Sequence, residues 1–298
     1  MLAAGDDARI IAGGQSLVPL MAMRLARPKR LIDIARIREL AFVRREHEGI
    51  AIGAATRQSV LERDPIIRAA VPLLAKVMPF IGHAAIRSRG TIGGSLANAD
   101  PAAEMALVAV TLGATLVYRD GPASAEIAAS DFFVGPMTTA LPATACLTAV
   151  RFPVWRDARI GVGFHEVSAR RSDFALAAAA AQVALDENGI CRRLALGVGA
   201  VTGRPLRLDA AGRALEGTRA EATHRAPESS AATPPDGVPV SSRVRRPSRC
   251  TMPRIRRPPR RPRRAPRFAK RTQRPAARLR RCSPPAPRRV GPARHWSR

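Results

Sequence analysis

Ile10-Ile11-Ala12-Gly13-Gly14-Gln15-Ser16-Leu17 and, some eighty residues further on, Arg89-Gly90-Thr91-Ile92-Gly93-Gly94-Ser95 are the two stretches whose reading decides the fold. Each sets adjacent glycines beside a small hydroxyl residue, between apolar segments. Glycine reaches positive φ without a Cβ penalty and lets a ligand come close to the backbone. Successive N–H groups in such a turn form a concave nest for phosphate, and a helix starting directly behind adds the positive end of its dipole. Two nests on one chain suit the two ends of one pyrophosphate. Neither fits G-x-G-x-x-G or G-x-x-x-x-G-K-[ST], so a nicotinamide fingerprint and a P-loop are both unsupported. One Gly-Gly-polar turn says little; the pair says much more.

Outward from these turns, the pattern predicts strands at 9–12, 30–34 and 49–54 and helices at 17–25, 57–63 and 66–80, the last broken by prolines. Residues 86–95 read as extended and then turning. Arg87 and Arg89 flank the second turn, either as charge support for phosphate or as two solvated arginines. Asp100 is expected to cap a helix with Pro101 at its first position and Glu104 in its first turn. Residues 104–112 read as helix, and 114–118 with 123–127 as paired strands around Asp120-Gly121. Tyr118 reads as a packing residue. Residues 146–154 read as a strand, and 161–167 open a second domain. Asn188-Gly189 predicts a type I′ hairpin, which makes 174–185 a buried strand, despite its alanines, paired with 192–200. A closing helix follows at 210–215. His165-Glu166 invites an acid–base reading, against which stands a solvated surface pair.

The length of 298 residues suggests two domains. The net charge of +27 is unevenly placed: residues 1–222 hold 27 Lys+Arg against 21 Asp+Glu, and residues 223–298 hold 23 against 2. Cys146, Cys191, Cys250 and Cys282 stand alone, without metal-ligand or cluster spacing, which fits a reducing cytoplasm. The chain opens without a signal-peptide pattern. Its longest apolar run, near 174–185, is far short of the roughly 20 residues that span a bilayer. The segment 223–298 carries 15 of the 26 prolines, 22 Arg and one Lys. That composition cannot bury a core, so disorder is expected. It is what an out-of-frame reading of GC-rich DNA gives, so a frameshift near residue 222 is expected. The alternative is a basic arm for nucleic acid, with only Phe268 and Trp296 to stack on bases.

The chain resembles the FAD-binding (medium) subunit of the molybdenum hydroxylases, the group that contains aerobic carbon monoxide dehydrogenase and xanthine dehydrogenase. The resemblance rests on Ala12–Leu17, on Ile86–Ser95, on Asn98-Ala99-Asp100-Pro101-Ala102-Ala103-Glu104, and on the segment from Gly163 to Ala175. It implies an α+β fold. Residues 1–155 would form a two-lobed FAD domain of the PCMH/vanillyl-alcohol-oxidase-like type, and 156–222 a partial C-terminal domain; the basic tail, 223–298, lies beyond. Family members carry a further strand and helix ahead of the first turn, so a truncated start is expected. The resemblance assigns FAD to Ala12, Gly13, Gly14, Gln15, Ser16, Leu17, Thr91, Ile92, Gly93, Gly94, Ser95, Asp100 and Glu104, with Glu104 near the flavin and ribityl region and His165-Glu166 near the isoalloxazine. It implies no catalytic residue and no metal ligand on this chain. A large molybdopterin-binding partner and a small partner with [2Fe–2S] clusters would complete the enzyme. A stand-alone flavin oxidase is the rival among enzymes.

Overall fold

The computed structural model describes residues 8–170 and 172–219, which all fall in one compact unit. The basic segment, with its expected disorder and frameshift, lies outside the described residues. The first lobe begins with β1 (Ala8–Ile11), the first glycine turn, α1 (Leu17–Ala22) and β2 (Arg30–Asp33), the two strands pairing in parallel.

The second lobe is built on an antiparallel sheet. It begins with β3 (Val43–Arg45), β4 (Gly49–Gly53) and the short helix α2 (Gln58–Leu61). The expected helix at 66–80 is divided into α3 (Pro65–Ala70) and α4 (Pro72–Val77), followed by a 3-10 turn at Met78–Phe80. Proline at 72 removes an amide and biases Val71 towards extended backbone, so each piece starts on its own proline. Asp64 caps α3, accepting from the amides of Ile66 (2.7 Å) and Ile67 (3.2 Å).

Residues 86–95 are not extended. They form the end of α5 (Ala84–Arg89), a two-residue break at Gly90 and Thr91, and the start of α6 (Ile92–Asn98). α7 (Glu104–Leu112) follows, then β5 (Thr115–Asp120), β6 (Ala123–Ala128), α8 (Ala129–Phe132), the small pair β7 (Phe133–Gly135) and β8 (Thr138–Thr139), and β9 (Cys146–Pro153). The sheet order is β3-β4-β9-β5-β6.

The remaining sheet is β10 (Arg159–Ser168), β11 (Ala175–Leu185), β12 (Cys191–Gly199) and β13 (Leu206–Arg207), closed by α9 (Asp209–Leu215). The alanine run is a strand, as the hairpin reading required. The turn is of a different type: Gly189 has φ +79°, but Asn188 stays in the ordinary region. Asp186 holds a longer loop, its carboxylate accepting from the amides of Asn188 (3.0 Å) and Ile190 (2.8 Å). That Asx geometry gives the loop its turn without two left-handed residues.

α7 lies where the two larger sheets meet. Met105 to Leu112 are all buried, and the helix packs against α4, α6, β9, β11 and β12. Small residues make this possible. A Cβ at Gly197 would lie 2.0 Å from Thr111 Oγ1, and one at Gly199 would lie 3.3 Å from Leu107 Cδ2. Tyr118 packs on the same core. Among the described residues, no helix is long and apolar enough to cross a membrane.

Three non-glycine residues in left-handed backbone cluster beside α7. Ala99 (φ +50°), Met137 (φ +54°) and Ala200 (φ +64°) come from three separate segments. They are tied by backbone bonds from Met137 N to Ala99 O and from Ala200 N to Pro101 O, both 2.9 Å.

Gly93 sits where α6 presses on the end of β4: an added Cβ would lie 2.4 Å from Ala54 Cβ and 2.7 Å from Ala54 O. Gly93→Ala should therefore lower stability by about 1–3 kcal/mol through overpacking against backbone, read as a lower urea midpoint at unchanged m-value.

Candidate cofactor-binding site

A cleft of about 740 Å³ opens beside the two glycine turns. The first turn leaves β1 at Ile11 and enters α1 at Leu17, with Gly14 at φ +69°. Gln15 folds back over it, donating Nε2–H to Gly13 O (3.0 Å). The amides of Gly13, Gly14, Gln15 and Ser16 have no acceptor among the described residues. Four unpaired donors on one turn make a concave anion cradle. The residues from Ala12 to Leu17 all line the cleft.

The two turns touch. A Cβ at Gly13 would lie 2.3 Å from Arg89 O and 2.8 Å from Gly90 Cα, so the first turn rests directly on the backbone of the second. Glycine at 13 is what permits that contact.

The second turn is not a matching donor set. Ile92 N donates to Thr56 O (3.1 Å), Gly93 N to Ala54 O (2.9 Å) and Ser95 N to Thr91 O (3.1 Å). Gly94 N donates to the Thr91 hydroxyl (3.0 Å), which caps α6. The expected free amides of Ile92–Ser95 are thus already used inside the protein. Ile92 is fully buried and belongs to the core, whereas Thr91, Gly93, Gly94 and Ser95 line the cleft. Neither Gly93 nor Gly94 has positive φ; a Cβ on Gly94 would meet Thr91 Oγ1 at 2.8 Å.

Arg87 serves neither of its two expected roles. Its guanidinium forks onto Glu62, both contacts 3.0 Å, and donates to the carbonyls of Ile81 and Gly82. With the charge paired and the donors spent, it braces α5 on α2. Arg89 is exposed, and its carbonyl accepts from Arg57.

Asp100 and Glu104 line the cleft; Glu104 stands in the first turn of α7 as expected, whereas Asp100 does not take its expected place. Asp100 does not cap α7. Its carboxylate accepts from Ala102 N (2.9 Å) in a turn with Pro101, and the helix starts at Glu104 because Ala103 is extended. The Glu104 carboxyl is pushed up to about 7, chiefly by burial; its own amide opposes the shift, and the charges of Glu166 and Asp100 add to it. Glu166 reaches Glu104 from β10. His165 points out to solvent, but Glu166 turns inward, with Oε2 buried and unpaired, and burial raises its carboxyl too. The two residues are therefore not a solvated surface pair. The motif reading also missed Gln58 and Cys146, which line the cleft without any local signature; Phe174, which lines it too, lies in the Gly163–Ala175 segment but was not singled out. Among the described residues, no group of three or more His, Cys, Asp or Glu side chains is placed to hold a metal ion.

The Glu104 shift has a definite sign. A carboxyl raised above its unfolded value of 4.5 favours the folded state while protonated, and that contribution is lost as pH rises through about 7. Relative to Glu104→Gln, flavin-free wild-type protein should lose roughly 2–3 kcal/mol of stability between pH 4.5 and pH 8. Urea titrations at four pH values check this; parallel profiles would show that the carboxyl is solvated.

Comparison with known proteins matches this arrangement. A family model described as the FAD binding domain in molybdopterin dehydrogenase covers residues 1–155, and one described as the CO dehydrogenase flavoprotein C-terminal domain covers 163–241. The chain is 41% identical over 189 residues to the 6-hydroxypseudooxynicotine dehydrogenase complex subunit alpha of Paenarthrobacter nicotinovorans, a match spanning 63% of this chain and 64% of that relative. It is 37% identical to the carbon monoxide dehydrogenase medium chain of Afipia carboxidovorans, spanning 72% of this chain and 74% of the relative. Quinoline 2-oxidoreductase from Pseudomonas putida 86 superposes with a TM-score of 0.69 at 37% identity, over 74% of this chain and 76% of that one. The chain belongs to the FAD-binding (medium) subunits of the molybdenum hydroxylases, a family of oxidoreductase subunits of the carbon monoxide dehydrogenase type whose cofactor is FAD.

Proposed function

We propose that this chain carries FAD as the electron-transfer subunit of a cytoplasmic molybdenum hydroxylase. The observation that carries the reading is the row of four amides at Gly13–Ser16, without an acceptor among the described residues, on a turn that rests on the backbone of the second glycine turn and lines a cleft of cofactor size. The residues fit the group: donors meet the pyrophosphate where no Cβ intervenes, and Ala12 and Leu17 flank them. Thr91, Gly93, Gly94 and Ser95 form a close-packed wall rather than a second set of donors, held in place by the core residue Ile92. Asp100 and Glu104 lie at the rim, where the flavin and ribityl portion would sit. Residues 1–155 would supply the cofactor domain and 156–222 a sheet whose loop ahead of β11 brings Phe174 to the cleft.

When bound, FAD supplies the redox chemistry, accepting electrons and releasing them. The chain's own residues would bind and orient it, and Glu104, raised to about 7 and so half protonated at neutrality, can hold or release a proton beside it. Substrate oxidation would belong to a large molybdenum-bearing partner, and a small [2Fe–2S] partner would relay the electrons to this subunit, which passes them to an external acceptor. Its relatives include a carbon monoxide dehydrogenase medium chain and a quinoline 2-oxidoreductase.

Two outcomes follow. Flavin-free protein should take up one FAD per chain, and the bound flavin should bleach on mixing with a reduced [2Fe–2S] partner but not with carbon monoxide, purines or aldehydes alone. Direct bleaching by substrate would make the chain a stand-alone oxidase. Gly14→Val forces a β-branched residue into φ +69°, a strain of about 1–3 kcal/mol. It should lower FAD affinity at least tenfold while far-UV circular dichroism stays near that of the wild type.

A further inference from the structure

Gln58, the first residue of α2, is 4% exposed yet lines the cleft. Its backbone amide donates to Gly90 O (2.9 Å), which pins the residue to the second glycine turn. Its side chain lies flat against that turn: a Cβ on Gly90 would be 2.5 Å from Gln58 Oε1. Nε2 approaches Met105 Sδ at 3.8 Å, one residue beyond Glu104, and Oε1 has no hydrogen-bond donor. Turning the carboxamide over does not cure this. The oxygen would then face a thioether, which has no proton to give, and the Gly90 amide already donates to Ile86 O (2.7 Å).

Buried acceptors are nearly always paired in native proteins, because an unpaired one keeps its full desolvation cost. Gln58 borders the cleft while its Oε1 is tucked under the turn, so the missing donor comes from what fills the cleft once the carboxamide turns towards it. On the reading that FAD fills it, the pyrophosphate is excluded, since it is all acceptors at neutral pH. The sugar hydroxyls of the cofactor are donors with freedom to rotate onto Oε1. We infer that Gln58 is a cofactor-positioning residue whose Oε1 accepts a hydrogen bond from a hydroxyl of the FAD sugar chain. It works from beneath the second glycine turn, while the amides of the first hold the pyrophosphate.

The test exploits opposite signs in the two states. Gln58→Leu removes an unpaired acceptor from the flavin-free protein and a paired one from the complex. The melting temperature of the flavin-free variant should therefore equal or exceed that of wild type, while the FAD dissociation constant rises about tenfold. Gln58→Met, which keeps the length of the chain, serves if the leucine variant does not fold. Titration with FMN and with ADP then locates the hydroxyl: weakened FMN binding assigns it to the ribityl chain, weakened ADP binding to the adenosine ribose, and either supports the inference. An FAD dissociation constant within twofold of wild type overturns it, whatever the melting temperature does. Failure of wild-type protein to take up FAD would instead overturn the reading of the cleft.

Discussion

The whole arrangement depends on one helix that has no wet face. Met105 to Leu112 are buried on every side, so everything around α7 must be close-fitting and small. Glycine at 197 and 199 brings β12 onto it, and buried alanines at 178 and 180 do the same for β11. The helix also delivers Glu104 to the cleft at its first turn and Met105 to Gln58. A helix with an exposed face can rotate or slide to accommodate a change. This one cannot, and the residues at its start inherit its rigidity.

The two glycine turns look alike on paper and behave differently in three dimensions. In the first, the backbone turns sharply at a left-handed glycine and leaves its donors unpaired. In the second, the donors bond to Thr56, Ala54 and the Thr91 cap, and the glycines are there for closeness. One turn meets the anion and the other props it. A positive dipole end with all its N–H groups spent still contributes field, but it no longer sets geometry.

Much of this was legible in the chain. Regular spacing and strong punctuation marked the two strands around the first turn, though not their parallel pairing, together with α7 and the alanine-rich strand announced by Asn188-Gly189. What escaped had physical reasons. α6 opens Ile92-Gly93-Gly94, poor helix formers that only their contacts with Ala54 and Thr56 make helical. Asp100-Pro101 carries the signature of a cap, yet Ala103 interrupts before the helix begins. Arg87 pairs with Glu62, twenty-five positions away, and no local pattern announces such a partner. Gln58 belongs to no motif at all; only its burial without a donor marks it.

Loops at a protein's surface ordinarily drift: they lengthen and shorten among relatives because little depends on their exact path. The junction of Ala99, Met137 and Ala200 removes that freedom. Each of the three holds a left-handed backbone without the licence of glycine, and two backbone hydrogen bonds fasten them together beside the cleft. A residue inserted into any one of the three loops would displace the other two. Segments separated by a hundred residues of sequence are thereby tied at one junction, so a change of length in one strains the backbone of its partners.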